Sequence, residues 1–314
     1  MSRQFLIVTQ ADDLHGLAVQ AAVLKRGFGC HIVESDQLTG RESITYAVGA
    51  GEAGAALLRT ADGNLLDVSS IDTIWWRRFG MNQEVGSSEL TDAHRSLINN
   101  DCIGAMVGSI QNTFSGTWIS SPSATVYASN KLNQLAAAYR CGLRIPDTVV
   151  TQSPSVVRDF WERHEGRVIV KPVAGAPGPI LFTQFVREEH FREEDSIRSS
   201  PAIYQEFIPG TDHIRLNCFG NQSYAGLIET EDLDWRPNLT VPISRWPVPD
   251  ALHRIIRRVL DELGLEMGII DLKQTPDGEF VWLEVNPQGQ FLFLEGLTGE
   301  PLTEHFTDYL TSSN

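Results

Sequence analysis

Paired cysteines are missing from this sequence. Its four, Cys30, Cys102, Cys141 and Cys218, lie far apart, form no C-x-x-C pair and have no histidine at zinc spacing. That excludes a disulfide framework and a zinc knuckle, and leaves small buried hydrophobes in a reducing compartment. Runs of Lys and Arg are also missing, and 40 acidic residues against 25 basic ones give a formal net charge of -15. A chain that binds nucleic acid by releasing counterions from phosphates needs basic surface, so no nucleic-acid partner is predicted. No apolar stretch approaches the roughly 18 residues of a membrane span. The N-terminus, Met1-Ser2-Arg3-Gln4-Phe5-Leu6-Ile7-Val8, has one basic residue and too short an apolar run for a signal peptide. The prediction is a soluble, cytoplasmic protein without a membrane partner. A G-x-S-x-G elbow, a P-loop and a G-x-G-x-x-G fingerprint are absent too, as is any internal repeat.

What is present is a chain of 314 residues, 42% hydrophobic and 21% charged, which can build a sizeable core. A short apolar run at 4–9 precedes Leu14, Leu17, Ala18, Ala21, Ala22 and Leu24 at helical period, and then His31-Ile32-Val33. This reads as a βαβ unit. A strand over 71–78, ending Trp75-Trp76-Arg77-Arg78, and a helix through Leu97, Cys102, Met106 and Ile110 complete a small α/β domain over 1–120. The Ser/Pro-rich 121–130 segment reads as a linker. Strands at 148–151, 167–171 and 202–207, and helices at 131–139 and 155–164, make a second unit over 121–205. A hairpin at 214–228, a helix at 250–263, two strands around Thr275-Pro276-Asp277-Gly278 and a C-terminal helix make a third over 206–314. The fold class is α/β (α+β).

Several polar residues sit where chemistry could use them. Lys131 follows Asn130, a good helix cap, so its charge lies in the first helical turn, where it either extends into water or meets a bound anion. Lys171 ends an apolar strand beside a Gly/Pro loop, a place for a phosphate contact or for plain solvation. Glu284 and Asn286 are two apart on one strand and share a face. A two-residue turn would set Asp271 opposite Trp282 and diagonal to Glu284, within reach of one ion; a bulge at Gly278 would move Asp271 to the other face. Two carboxylates and an amide oxygen are hard donors suited to Mg²⁺. Trp75 to Arg78 could be a strand end with cation–π packing.

The order of six segments resembles that of ATP-grasp ligases. They are Ser129-Asn130-Lys131-Leu132, Val168-Ile169-Val170-Lys171-Pro172, Tyr204-Gln205-Glu206-Phe207-Ile208-Pro209-Gly210, Asp212-His213-Ile214-Arg215, Gly268-Ile269-Ile270-Asp271 and Leu283-Glu284-Val285-Asn286-Pro287. The resemblance covers about 120 to 310, and the N-terminal α/β unit is similar to that family's first, pre-ATP-grasp domain. Within the superfamily the chain looks most like RimK-related, microviridin-type (graspetide) ligases of ribosomal peptides. The pointers are Trp75-Trp76-Arg77-Arg78, Asp234-Trp235-Arg236, and the run from Asn286 to Glu295.

This resemblance implies ATP and Mg²⁺ as cofactors. It implies Lys131 and Lys171 on the phosphates, Glu206, Phe207 and Ile208 beside adenine, and Asp212 near the nucleotide. Arg215 would stabilise the acyl-phosphate, and Asp271, Glu284 and Asn286 would hold Mg²⁺ and complete the catalytic set. The implied substrate is a precursor peptide with a leader segment, closed into ester or amide macrocycles; homodimers are common among such ligases. The alternatives are a ligase adding an amino acid to a small acid or protein tail, and a nucleotide-binding regulator without catalysis. Ala174-Gly175-Ala176-Pro177-Gly178-Pro179 departs from the longer glycine loop of many such enzymes, and Asp234-Trp235-Arg236 carries no role from sequence alone.

Overall fold

The computed structural model describes residues 2–49, 52–80, 82–83, 85, 90–174, 182–238 and 240–312. The predicted βαβ unit opens a four-stranded parallel sheet, ordered Gly29–Glu34, Gln4–Thr9, Thr73–Trp76, Thr117–Ile119. The helix between the first two strands spans Leu14–Lys25, but its inward face is not the leucine face. His15, Gly16, Val19, Ala22 and Val23 are buried, whereas Leu14, Leu17 and Leu24 are exposed. The reason is close approach: a Cβ on Gly16 would come within 3.1 Å of Thr9 Cγ2, so the helix lies on the sheet through its smallest residue. Residues 45–60 resolve into two strands of a separate antiparallel sheet, Ile44–Gly49 and Glu52–Arg59, joined by Leu65–Asp67.

The 121–130 segment corrects the sequence reading. It is a helix, Pro122–Ser129, rather than a linker. Ser121 caps it by accepting from the Ala124 amide at 3.2 Å, and Pro122 occupies the first helical position, where no N–H is needed. Asn130 ends that helix and caps the next, Lys131–Arg140, accepting from Leu132 N at 2.9 Å.

Two antiparallel sheets carry the rest. One is ordered Gln184–Phe185, Val168–Pro172, Ala202–Glu206, Thr148–Thr151; the other Ile243–Trp246, Gln222–Glu229, Asp212–Phe219, Met267–Gln274, Phe280–Asn286. The larger sheet buries one face, through Ile214, Leu216 and Cys218, against helix Asp250–Glu262 and helix Lys131–Arg140. Full burial of Leu252, Ile256, Val259 and Leu260 contributes about 1.5–3 kcal/mol per side chain. A second core joins Phe5 and Ile7 of the parallel sheet to Phe219, Ile269, Phe291 and Phe306, so the chain's two ends share one interior.

The last hairpin determines whether Glu284 shares a face with Asp271, whose own direction is set by its unbroken pairing with strand Asp212–Phe219. Its turn is one residue longer than a two-residue loop: Thr275 pairs with Glu279 through the Glu279 carbonyl at 2.9 Å, and Gly278 has φ +87°. That shift alone would leave Glu284 on the opposite face from Asp271. A second irregularity, between Asp271 and Leu272, leaves Leu283 without a partner and sets Asp271 directly opposite Glu284. Gly278 therefore occupies a conformation that an L side chain disfavours. Gly278→Ala is expected to cost about 1–2 kcal/mol, and Gly278→Asn to recover most of it, read as the urea unfolding midpoint.

Candidate functional site

A cleft runs between the two antiparallel sheets, lined by Lys131, Lys171, Glu206, Phe207, Ile208, Asp271 and Glu284, all predicted from sequence. Its floor is the unhelixed face of the larger sheet. Strand alternation sends Ile214 and Leu216 to the helices and His213, Arg215 and Asn217 to this face. Arg215 pairs with Asp271, and Asp271 with Glu284, so three charged residues stand side by side across three strands.

Their contacts are specific. Arg215 Nη1 donates to both Asp271 carboxylate oxygens, at 2.9 and 2.8 Å. Burial pushes the Asp271 carboxyl above the ordinary range, and Arg215 opposes that shift while the Glu284 charge adds to it. Glu284 is half-buried; its partial burial raises its carboxyl, but Lys131, Lys171 and Arg236 surround it and hold it below the ordinary range. Lys131 does not extend into water: its Nζ lies 3.3 Å from Glu284 Oε2. Lys171 is pushed down to about 8, first by burial; Glu284 offsets this in part, and Lys131 and Arg236 reinforce it.

At the other end of the cleft, the chain from Glu206 to Ile208 leaves its strand. The Glu206 and Phe207 amides are already bonded, to Asp147 O at 3.0 Å and Arg167 O at 2.9 Å. Buried polar atoms nearby have no hydrogen-bond partner among the described residues: Gln205 Oε1 and His213 Nε2. Lys273 Nζ sits 5.2 Å over the Phe207 ring. Burial holds His213 at about 4, below its ordinary value, with the Lys273 charge as a further cause.

Two predicted residues stand apart. Asp212 does not line the cleft; it faces a shallow depression with Gln274 and Gly278, and its carboxylate accepts from Thr211 Oγ1 at 2.9 Å. Strand alternation explains this, because His213 takes the cleft-facing position. Asn286 shares the strand of Glu284 but is exposed, and its Oδ1 accepts from Gln288 N at 3.0 Å. Among the described residues no group of three His, Cys, Asp or Glu side chains forms a ready metal cluster. Residues 175–179 of the Gly/Pro loop lie outside the described residues.

Sequence reasoning missed four contributors: His213, Lys273, Trp235 and Arg236. Trp235 is buried and stacks on Phe293 at 5.8 Å, and both rings lie 5.9 Å from the Arg215 guanidinium carbon. Asp234 accepts from Arg236 Nε at 2.8 Å and also from its Nη2, which holds the guanidinium near Glu284 and Asp271. The signal for His213 was in the sequence, as polar residues at every second position of an otherwise apolar strand. Trp235 and Arg236 lie in an irregular loop whose partners are distant in sequence.

Comparisons with known proteins bear on the fold. No protein-family model matches the chain. The macrocyclase MdnC from Microcystis aeruginosa MRC, solved with the precursor peptide MdnA, superposes with a TM-score of 0.87 at 23% identity, over 99% of this chain and 100% of that one. A Chryseobacterium gregarium RiPP-associated ATP-grasp ligase, solved with ADP and a leader and core peptide, gives 0.86 at 23%, over 98% and 96%. In sequence, the alpha-aminoadipate–LysW ligase LysX of Sulfurisphaera tokodaii is 25% identical over 178 residues, 54% of this chain. The chain spans 62% of the length of that curated relative. The fold therefore matches that of ATP-grasp ligases along nearly the whole chain, where the six ordered segments implied it for about 120 to 310. No helix among the described residues is long and apolar enough to cross a membrane.

The cleft makes a prediction independent of any reaction. Competitive acylation followed across pH by mass spectrometry should give Lys171 a midpoint near 8, with the neutral, reactive amine appearing above that pH. A midpoint at the ordinary lysine value would mean that the cleft does not shield it.

Proposed function

We propose that this chain is an ATP-dependent carboxylate–amine/alcohol ligase that works through an acyl-phosphate and closes side-chain ester or amide macrocycles in a ribosomally made precursor peptide. The observation that carries the reading is the convergence of Lys131, Lys171 and Arg236 on Glu284, beside the Arg215–Asp271 pair, in a chain of net charge -15. Such a cluster suits a polyphosphate, and the ATP-grasp fold supplies the setting. The ADP and the leader and core peptide bound by the Chryseobacterium ligase support the same choice of substrates. The division into 1–120, 121–205 and 206–314 is likewise proposed, on the strength of one principal sheet in each part.

The cleft is polarised along its length, which suits a nucleotide. Its hinge end, at Glu206, Phe207 and Ile208, offers an aromatic face and the free polar atoms of Gln205 and His213 to a base. Its other end offers Lys131, Lys171 and Arg236 to phosphates. Asp271, Glu284 and Asn286 are oxygen donors of the kind Mg²⁺ takes, and the first two are direct cross-strand partners. When bound there, Mg²⁺ would neutralise phosphate charge. His213 rather than Asp212 is the residue of its segment that faces the nucleotide.

Chemistry in this reading needs positioning and charge stabilisation more than a covalent nucleophile on the protein. A substrate carboxylate oxygen attacks the γ-phosphorus and ADP leaves. A hydroxyl or amine then attacks the acyl carbon, phosphate leaves, and the nucleophile's proton passes to solvent. Arg215, held flat by Asp271 and covered by Trp235 and Phe293, presents its guanidinium to the charge that develops at the acyl carbon. Its Nε is buried and has no partner among the described residues.

A second reading has its own support in the similarity to the alpha-aminoadipate–LysW ligase: joining an amino acid to a small acid or a protein tail. One experiment separates them. The protein is incubated with Mg²⁺, ATP and the short peptide encoded beside its gene, and intact masses are measured. Loss of one water per bond supports macrocyclisation; an unchanged peptide, with turnover on amino-acid acceptors, supports the second reading. Arg215→Ala is expected to lower product formation by about 10²–10³-fold while ATP binding is largely kept. Glu284→Gln is expected to weaken Mg²⁺-dependent turnover, and unchanged activity would move the metal site elsewhere.

A further inference from the structure

We infer that His15, in the first turn of helix Leu14–Lys25, and Arg77, just past strand Thr73–Trp76, are positioning residues for Arg215, acting through the turn at residues 286–292. The inference rests on the ligase reading only in treating Arg215 as the catalytic group. Phe291 and Leu292 open the short helix Leu292–Thr298, which has no capping side chain of its own. Helix N-terminal amides lack partners within the helix and need an acceptor. Here both amides donate to one atom, His15 Nε2, at 2.9 and 3.1 Å. His15 is 7% exposed, and its ring stands edge-on to Phe291 at 4.8 Å. An atom that accepts two N–H groups carries no proton, so the ring proton sits on Nδ1, the side facing Asp13, whose Oδ1 is 3.7 Å away.

Arg77 holds the same turn three residues earlier, at Gln288. Its Nη1 donates to the Gln288 carbonyl, and its Nε lies 3.3 Å from Asp13 Oδ2. Asp13 is fixed in turn by the Thr9 hydroxyl at 2.7 Å and the Gly16 amide at 3.2 Å. The far side of the turn faces the cleft: the Gln290 carbonyl accepts from Arg215 Nη2 at 3.3 Å. Thus a continuous set of contacts, most of them part-buried, runs from the first strand–helix junction to the guanidinium. The turn also begins at Asn286, so the N-terminal sheet fixes the exit of the strand that bears Glu284.

A Phe in place of His15 keeps a ring but removes the acceptor. A Gln can place its amide oxygen where Nε2 now lies, without an ionisable ring. In the full chain, His15→Phe is expected to speed hydrogen exchange of the Phe291 and Leu292 amides by about tenfold or more, the scale of one lost buried hydrogen bond. It should also shift the Arg215 Nε–Hε NMR resonance and lower kcat about tenfold with the KM for ATP unchanged. His15→Gln should restore all three.

Acid provides a second route should the Phe variant fail to fold. Burial holds His15 below its ordinary value, Asp13 opposes that, and Arg77 and Arg78 reinforce it. Protonation would put a third N–H donor against the two amides. Asp271 moves the Arg215 resonance with acid in both proteins, so His15 is read from the difference: a further step as pH falls below the usual histidine range should appear in the wild type and be missing in His15→Gln. An Arg215 resonance indifferent to His15→Phe, or one with the same pH profile in wild type and His15→Gln, overturns the inference, whatever the effect on melting temperature. Absence of product with wild-type protein would sink the ligase reading, and the resonance and exchange measurements would still decide the positioning.

Discussion

The pairing of Arg215 with Asp271, on a sheet face largely closed to water, is the constraint around which the site is arranged. A carboxylate in that position is disfavoured by desolvation and persists as an ion only with a well-placed cation. Arg215 supplies it through one nitrogen, Nη1, shared between both carboxylate oxygens, and the consequences spread across the sheet. Asp271 faces Arg215 through the regular pairing of their strands, and the second bulge of the final hairpin brings Glu284 to the same face. Glu284 then stands directly beside Asp271 and requires cations of its own, which helix Lys131–Arg140, strand Val168–Pro172 and the loop at Arg236 provide from three directions. Removing one member of a buried pair of this kind typically costs about 3–5 kcal/mol, because the other charge is left stranded. Function and stability at this site are therefore hard to separate by deletion, whereas isosteric changes such as Glu284→Gln keep the packing.

Legibility in the sequence followed the range of the determining interaction. Lys131, Lys171, Asp271 and Glu284 sit at local landmarks: after a helix cap, at a strand end, or on neighbouring strands of one hairpin. Arg215 bears no such mark and enters only through the resemblance to ATP-grasp ligases. Asp212 lies one step of strand alternation from the cleft, which His213 faces. The relation of Asp271 to Glu284 could not be fixed by counting from the turn. Two independent register shifts, one at Gly278 and one beside Leu272, combine to restore the common face. Neither shift has a local signature that fixes both together.

The same distinction governs the fold. Helix Leu14–Lys25 was plain from its period, but the period alone favoured the leucine face. The small residue that allows contact with the sheet, Gly16, marks the other one. Segment 121–130 looked like a linker because Ser and Pro dominate it, yet Ser121 followed by Pro122 is also how a helix begins. Composition could not choose between a break and a cap; packing of Ala128 into the core beside Leu135 does.

Net charge gives the site its selectivity for polyanions. A chain at -15 repels phosphate over most of its surface, so a cleft where Lys131, Lys171 and Arg236 gather becomes a local exception. That gathering would be self-repelling without Glu284 at its centre. Asp234 also anchors Arg236, which shares its charge without releasing it from the cleft. The carboxylates thus have two parts: they hold the cations together when no polyanion is near, and they remain as oxygen donors once one arrives. A cleft lined by cations alone would have to separate them, and one lined by carboxylates alone would exclude the phosphates. The contact order Arg215, Asp271, Glu284, Lys131, two carboxylates between two cations, meets both requirements where the larger sheet meets helix Lys131–Arg140.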